Sequence, residues 1–335
     1  MRHFLPAVCY HPTTVVFIDD NREFLQHVTK WLNHDEFAYR TFDHPKIALE
    51  FLTRTYHPHP FTERCTYQPS GDTPWDCSEL GINIRNIHHE MHNPKRFAEI
   101  GVIVVDYAMP GMNGIELCTK LEGLPFKKIM LTGEADEHLA VTAFNHGIID
   151  HFIRKDDANF YALINQAIRE MQAAYFQNSS LKVIDAFANL YPPKKFLADP
   201  VFINFFDGIF NALHPAEYYL TDQDGGFTFL DTAGRPQWLA VKNQEEMASF
   251  ATYAAEADIK QEEVIKLLKE LRAIPYFHTD EEMRNTGVEE WLPFMHPAQC
   301  LRGEKDTYYY AIISNSKAHD IGDVLSFAKY LKNLH

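Results

Sequence analysis

The stretch Gly101-Val-Ile-Val-Val-Asp106-Tyr-Ala-Met-Pro-Gly-Met-Asn-Gly114 decides the reading of this chain. Its first half is a β-branched run without polar interruption, the pattern of a strand buried on both faces. A carboxylate ends the run, and Gly111 and Gly114 permit a sharp loop behind it. Asp106 is thus expected at the end of a core strand, where a loop begins.

Three further stretches end in the same way. Thr13-Thr-Val-Val-Phe-Ile runs into Asp19-Asp20, Ile129-Met-Leu runs into Thr132, and Phe152-Ile-Arg runs into Lys155. Between them the period changes from strand-like to helical. Phe24, Val28, Trp31 and Leu32 share helical spacing, then residues 37–42 read as a strand, and Ile47, Leu49, Phe51 and Leu52 suit a second helix opened by Asp43-His-Pro45. After a strand at 101–105 come a helix at 113–122, a strand at 128–132, a helix at 136–146, a strand at 150–154 and a long helix beyond Asp156. Five such βα units predict a parallel sheet with helices on both faces. Right-handed crossovers bring the C-terminal strand ends to one edge, the edge at which such sheets bind ligands. All four chemical stretches fall there.

Phosphoryl transfer needs a nucleophile, a divalent cation and positive charge opposite the transferred oxygens. Asp106 is the expected nucleophile. Asp19 and Asp20 supply hard oxygens for Mg²⁺, with Asp106 itself and the backbone carbonyl of Ala108 as further ligands. Crowded carboxylates repel, so the cation also keeps them ionised. Lys155 pairs with one phosphoryl oxygen as a point charge and Thr132 donates to another. A lone strand-end Asp is ordinarily a cap. Five groups in order at four matching strand ends, with the string Asp-x-x-Met-Pro-Gly-Met-x-Gly, carry the chemical reading.

With these residues in place, residues 13–176 resemble the receiver domain of two-component response regulators. The resemblance implies a five-stranded α/β fold, a sensor histidine kinase as phosphoryl donor and slow self-dephosphorylation. It also implies a switch pair, Thr132 and Phe152, that would alter the face built from the fourth helix, fifth strand and fifth helix. Two features depart from the family pattern. Asp156 stands where the family has proline, and Asp156 with Asp157 is expected to dilute the charge of Lys155. Residues 55–98 form an insertion rich in Pro and His, too long for an ordinary loop.

That insertion carries His57, His59, Cys65, Cys77, His88, His89 and His92. His88 and His92 would share one helix face at a metal-compatible spacing, but Cys65 and Cys77 fit no zinc pattern, and the favoured reading is a solvated polar loop. The five cysteines are scattered, as expected of reduced thiols in a cytoplasmic protein. The amino-terminal stretch is broken by Pro6 and does not read as a signal peptide. No segment reaches the roughly 20 apolar residues of a membrane span.

Ile164, Ile168, Met171 and Tyr175 form an apolar stripe that continues toward Leu190 and ends at Pro192-Pro193. It reads as either core packing or a homodimer contact, the contact being favoured, with residues 177–195 as a helical linker or dimerisation segment. Residues 196–335 then read as an α+β output domain. A helix around Phe202–Phe210 precedes antiparallel strands at 218–221, 227–231 and 237–241, helices at 244–257 and 260–272, a strand at 307–313 and a last helix at 320–334. The meander resembles the first hairpin of PAS-like sensor domains, which bind small ligands or partner chains. Acidic residues outnumber basic ones here, the whole chain carries a formal charge of −15, and no recognition helix stands out, so nucleic acid and anionic membranes are not expected partners. A receiver with such an output half also resembles, in layout, quorum-sensing response regulators of the Legionella type. The expected output is a protein- or ligand-binding domain. The alternatives are an enzyme acting on a nucleotide and, less favoured, a DNA-binding regulator.

Overall fold

In the computed structural model, the described residues are 7–55, 61–67, 81–82, 84–190, 196, 199–221, 225–256, 262–277, 280–286, 290–304, 306–314 and 322–334. They divide into two compact units. The first comprises Tyr10–Thr66, Asn93–Val183 and Phe327–His335, and the second comprises Met1–Cys9, Tyr67–His92 and Ile184–Ser326.

The first unit is built on five parallel strands: β1 (Thr14–Ile18), β2 (Ala38–Phe42), β3 (Ile100–Asp106), β4 (Lys127–Thr132) and β5 (His151–Arg154). Their order is β2-β1-β3-β4-β5. The central strand β3 is buried along its whole length, as its unbroken apolar run requires. One face of the sheet packs Val16, Ile18, Ile103, Val105 and Met130 against the helices Pro45–Glu50, Gly114–Lys120 and Glu137–Asn145. The other packs Val15, Phe17, Val104 and Leu131 against the helices Arg22–Val28 and Phe160–Leu190. This is the doubly covered α/β sheet expected from the alternating pattern.

The first helix is shorter than its spacing suggests. It stops at Val28 and continues as a 3₁₀ turn, so Trp31 leaves the apolar face and is 58% exposed. Ile47 is likewise solvent-facing rather than core.

The division departs from contiguous domains in two places. Phe327–Leu334, at the end of the supposed output half, groups with the parallel-sheet unit. Phe97 sits at the centre of that grouping, fully buried, with its ring centroid 5.1 Å from Phe327 and 5.2 Å from Tyr330. Conversely Tyr67–His92, from inside the insertion, groups with the second unit. There the helix Ile84–His89 packs on the first strand of the meander, and Ile87 and Met91 are buried. A solvated loop does not describe this part of the insertion, because its apolar residues have a sheet to cover.

In the second unit an antiparallel sheet includes, as consecutive neighbours, β6 (Glu217–Leu220), β7 (Phe227–Leu230), β8 (Pro236–Asn243), β10 (Thr307–Ser314) and β9 (Gln299–Arg302). The helix Pro200–Leu213 lays Phe202 and Phe206 on one face, against Tyr218, Phe227 and Tyr308. Trp238, Ala240 and Ile313 pack on the other face with Met247 and Ile274. The meander and the flanking helices lie close to where the residue pattern puts them. Strand β9 and the ribbon Ala273–Pro275 with Met295–Pro297 were not expected. Two strands of that ribbon end in proline, a residue that argues against a strand when only sequence is read.

Candidate functional site

The C-terminal ends of β1, β3, β4 and β5 bring five side chains together. Asp106 closes β3 and is 6% exposed. The loop behind it is held from both sides. Met109 and Met112 are buried in the core below, while Gly114 N–H donates to the Tyr107 carbonyl at 2.9 Å. A Cβ on Gly114 would lie 2.5 Å from the Asp106 carbonyl oxygen, so only glycine lets the loop return this closely. Gly111 has φ +78°, the left-handed conformation that glycine adopts without strain. Asn113 then caps the next helix by accepting from Glu116 N–H at 2.9 Å.

Asp19 and Asp20 follow β1. Asn21 caps the helix Arg22–Val28 by accepting from Phe24 N–H at 3.0 Å, and its own N–H donates to Asp19 Oδ1 at 2.9 Å. These two bonds fix the acidic pair just before the helix. Asp19 is buried and Asp20 is exposed. Burial raises the Asp19 carboxyl above its ordinary 3.8, and the hydrogen bond and charge of Lys155 oppose that shift.

Lys155 is the centre of the arrangement. Its backbone N–H donates to the Thr132 carbonyl at 2.9 Å, tying the end of β5 to the end of β4. Its ammonium Nζ lies 2.6 Å from Asp19 Oδ2 and 2.7 Å from Asp106 Oδ1. The ring of Phe24 faces the same ammonium, 4.3 Å from the centroid. The Thr132 hydroxyl is fully buried and has no hydrogen-bond partner among the described residues. An orphaned buried hydroxyl is costly and signals a ligand atom or a role.

The group also fits a divalent cation. One oxygen from each of Asp19, Asp20 and Asp106 lies within 4.8 Å of the others. Ligands on one Mg²⁺ at about 2.1 Å sit at most about 4.2 Å apart, so small inward movements would complete the set. All three are hard anionic oxygens, the donor type that magnesium selects. Ala108 follows on the same loop, exposed two residues beyond Asp106.

The acidic residues after Lys155 bond to other partners. Asp156 is engaged with Arg154, 2.8 Å from Nη2, and that hydrogen bond holds its carboxyl below the usual range. Asp157 accepts from Asn159 N–H at 2.7 Å in the turn before the long helix. Phe152 on β5 is half-buried, edge-on to Phe144 with centroids 6.3 Å apart.

The expected dimer contact is not available as one. Ile164 and Ile168 are fully buried in the parallel-sheet core, and Met171 packs against the same cluster. Tyr175 is buried and its hydroxyl donates to Glu99 Oε1. The stripe is intramolecular because the sheet face below it has no other cover. The His88–His92 pairing does not form a helical metal face either. His88 belongs to an α-helix and His92 to the 3₁₀ turn after it, and among the described residues neither joins a cluster of three ligands. Cys65 is buried, while His57, His59 and Cys77 lie outside the described residues.

Residues 85–185 match the response regulator receiver domain family. The match begins within the insertion and so omits Asp19 and Asp20, which the insertion separates in sequence from the rest of the site. Along its full length the chain is similar to the Legionella pneumophila response regulator LqsR, at 32% identity and a TM-score of 0.78, covering 100% of this chain and 98% of that one. A 78-residue stretch is 38% identical to the transcriptional regulatory protein FixJ of Bradyrhizobium diazoefficiens. That stretch is 22% of this chain and spans only 38% of FixJ. Among the described residues, no helix is long and apolar enough to cross a membrane.

Proposed function

This chain belongs to the response regulator family, and from that premise we propose that it is an aspartyl-phosphate switch in which Asp106 takes a phosphoryl group from a sensor histidine kinase. The observation that carries the reading is the Lys155 ammonium held between Asp19 and Asp106 at a strand end tied by its N–H to Thr132, whose buried hydroxyl has no partner among the described residues. An Asp106 Oδ attacks the phosphorus of the donor phosphohistidine. A P–O bond forms as the P–N bond breaks, and the bonding pair stays on the donor's imidazole nitrogen. Asp19, Asp20, Asp106 and the Ala108 carbonyl would hold Mg²⁺, which supplies charge neutralisation for the transferred oxygens when bound. Lys155 leaves its ion pair with Asp106 for one phosphoryl oxygen, and the Thr132 hydroxyl donates to another.

That donation is the switch. Thr132 is drawn toward the phosphoryl group, and Phe152 gains room to turn from half-buried to buried. The face beside it, where Val141 and Phe144 of the helix Glu137–Asn145 are 40% and 46% exposed, would carry the homodimer contact. The second unit is read as a protein- or small-molecule-binding output domain in cytoplasmic quorum-sensing signalling. Its antiparallel sheet under aromatic packing and its acidic composition support that reading over DNA binding.

The test is labelling with acetyl phosphate and Mg²⁺, read by intact mass. The parent chain should gain one phosphoryl group and Asp106→Asn none, with the melting curve retained. A label that persists in Asp106→Asn overturns the assignment. Beryllofluoride should raise the molar mass seen by light scattering, and an unchanged mass removes the dimer from the scheme.

A further inference from the structure

Phe24 lies in the first turn of the helix after the acidic pair, four residues beyond Asp20. Its backbone is fixed by the Asn21 cap, and its ring packs against the parallel-sheet core, with the Phe160 centroid 5.9 Å away. By sequence it is an ordinary apolar-face residue. Yet its ring also faces the Lys155 ammonium at 4.3 Å. The ammonium donates to Asp19 Oδ2 at 2.6 Å and is ion-paired with Asp106 Oδ1 at 2.7 Å. The π face lies against the same ammonium, well inside the roughly 6 Å reach of a cation–π interaction.

We propose that Phe24 is a positioning residue for the phosphoryl transfer, acting through Lys155. The inference rests on the reading of Asp106 as acceptor. Both carboxylate partners of Lys155 change in that reaction. Asp106 loses its anionic oxygen to the new P–O bond, and Asp19 would share its charge with a divalent cation. Each change weakens the grip on the ammonium. The Phe24 ring is the contact that the chemistry leaves untouched, so it keeps the ammonium aimed at the incoming oxygens while the others let go. An aliphatic side chain of similar size would fill the space without the ring quadrupole that attracts the charge.

The experiment combines labelling rates with NMR of the full chain. The Lys155 ε-methylene protons should be shifted upfield by the Phe24 ring current in the parent chain. That shift should vanish in Phe24→Leu and return in Phe24→Tyr. Acetyl phosphate labelling of Asp106 should slow about fivefold in Phe24→Leu and recover in Phe24→Tyr. A Leu variant with an unchanged melting temperature and the parent rate overturns the proposal, as does a folded Tyr variant that fails to recover. Should Phe24→Leu not fold, the parent spectrum decides: a shifted ε-methylene supports the proposal and an unshifted one overturns it. A parent chain that shows the ring-current shift but takes no label breaks the Asp106 reading instead.

Discussion

The two sheets of this chain dispose of polar side chains in opposite ways. The parallel sheet gathers Asp19, Asp106, Thr132 and Lys155 at one edge. The antiparallel sheet holds its polar groups inside its own packing, where the buried Glu217 accepts from the Tyr219 hydroxyl at 2.5 Å on the same strand. Strand direction explains the contrast. Every parallel strand ends on the same edge, so residues placed after different strands converge. Antiparallel neighbours end on opposite edges, and the same placement disperses them. The first unit can therefore concentrate chemistry, while the second invests in rings: Phe202, Phe206, Phe227 and Trp238 are all buried there.

The strongest way to sharpen that contrast is to damage the second unit alone. Trp238 is 1% exposed among Ala240, Met247, Ile274, Tyr276, Ala311 and Ile313. Trp238→Ala should lower the stability of the second unit by about 3–5 kcal/mol, as large-to-small core changes do. Acetyl phosphate labelling of Asp106 should stay at the parent rate. Urea unfolding followed by circular dichroism, with labelling measured alongside, checks both. Labelling lost in step with the second unit would mean that chemistry and packing are not separable in this way.

A smaller effect tests the exchanged segment. Ending the chain after Ser326 removes Phe327 and Tyr330 from the ring of Phe97. Exposing these aromatics should cost the parallel-sheet unit about 2–4 kcal/mol. The lower-melting transition should then be the one that beryllofluoride binding raises. If truncation instead weakens only the second unit, the last helix is not part of the receiver core.

The legible and illegible parts of the molecule divide along similar lines. β1, β3 and β4 could be read because buried parallel strands are continuous apolar runs, and the site residues stand at or just after strand ends; the less buried β2 and β5 were placed by the alternation with helices. Long-range exchange leaves no such trace. Phe97 and Phe327 are ordinary apolar residues in sequence, and nothing local pairs them across 230 positions of chain. The stripe Ile164, Ile168, Met171 and Tyr175 was legible as apolar but not as to what covers it, since periodicity reports a buried face and not its partner. Asp156 shows the same limit for charge. Its neighbour in sequence suggested Lys155, and its geometry chose Arg154. Phe24 was read as an apolar-face residue, and it packs partly buried against the core, while its contact with the ammonium depends on a residue from the far end of the sheet.

The subtlest prediction separates stability from chemistry at a single atom. The Thr132 hydroxyl is buried without a hydrogen-bond partner among the described residues, so the fold bears its desolvation and gains no bond from them in return. Thr132→Val replaces that hydroxyl with a methyl group of nearly the same size. Stability should be unchanged or rise by up to about 1 kcal/mol, contrary to the usual sign for a core substitution. Labelling of Asp106 should fall about tenfold, because a hydrogen bond to a charged oxygen is then missing where charge is transferred. A matched pair of melting curves and labelling time courses reads both effects. A stability loss with normal labelling would assign Thr132 to the core rather than the site, and would leave the parallel edge with one chemical group fewer than its geometry suggests.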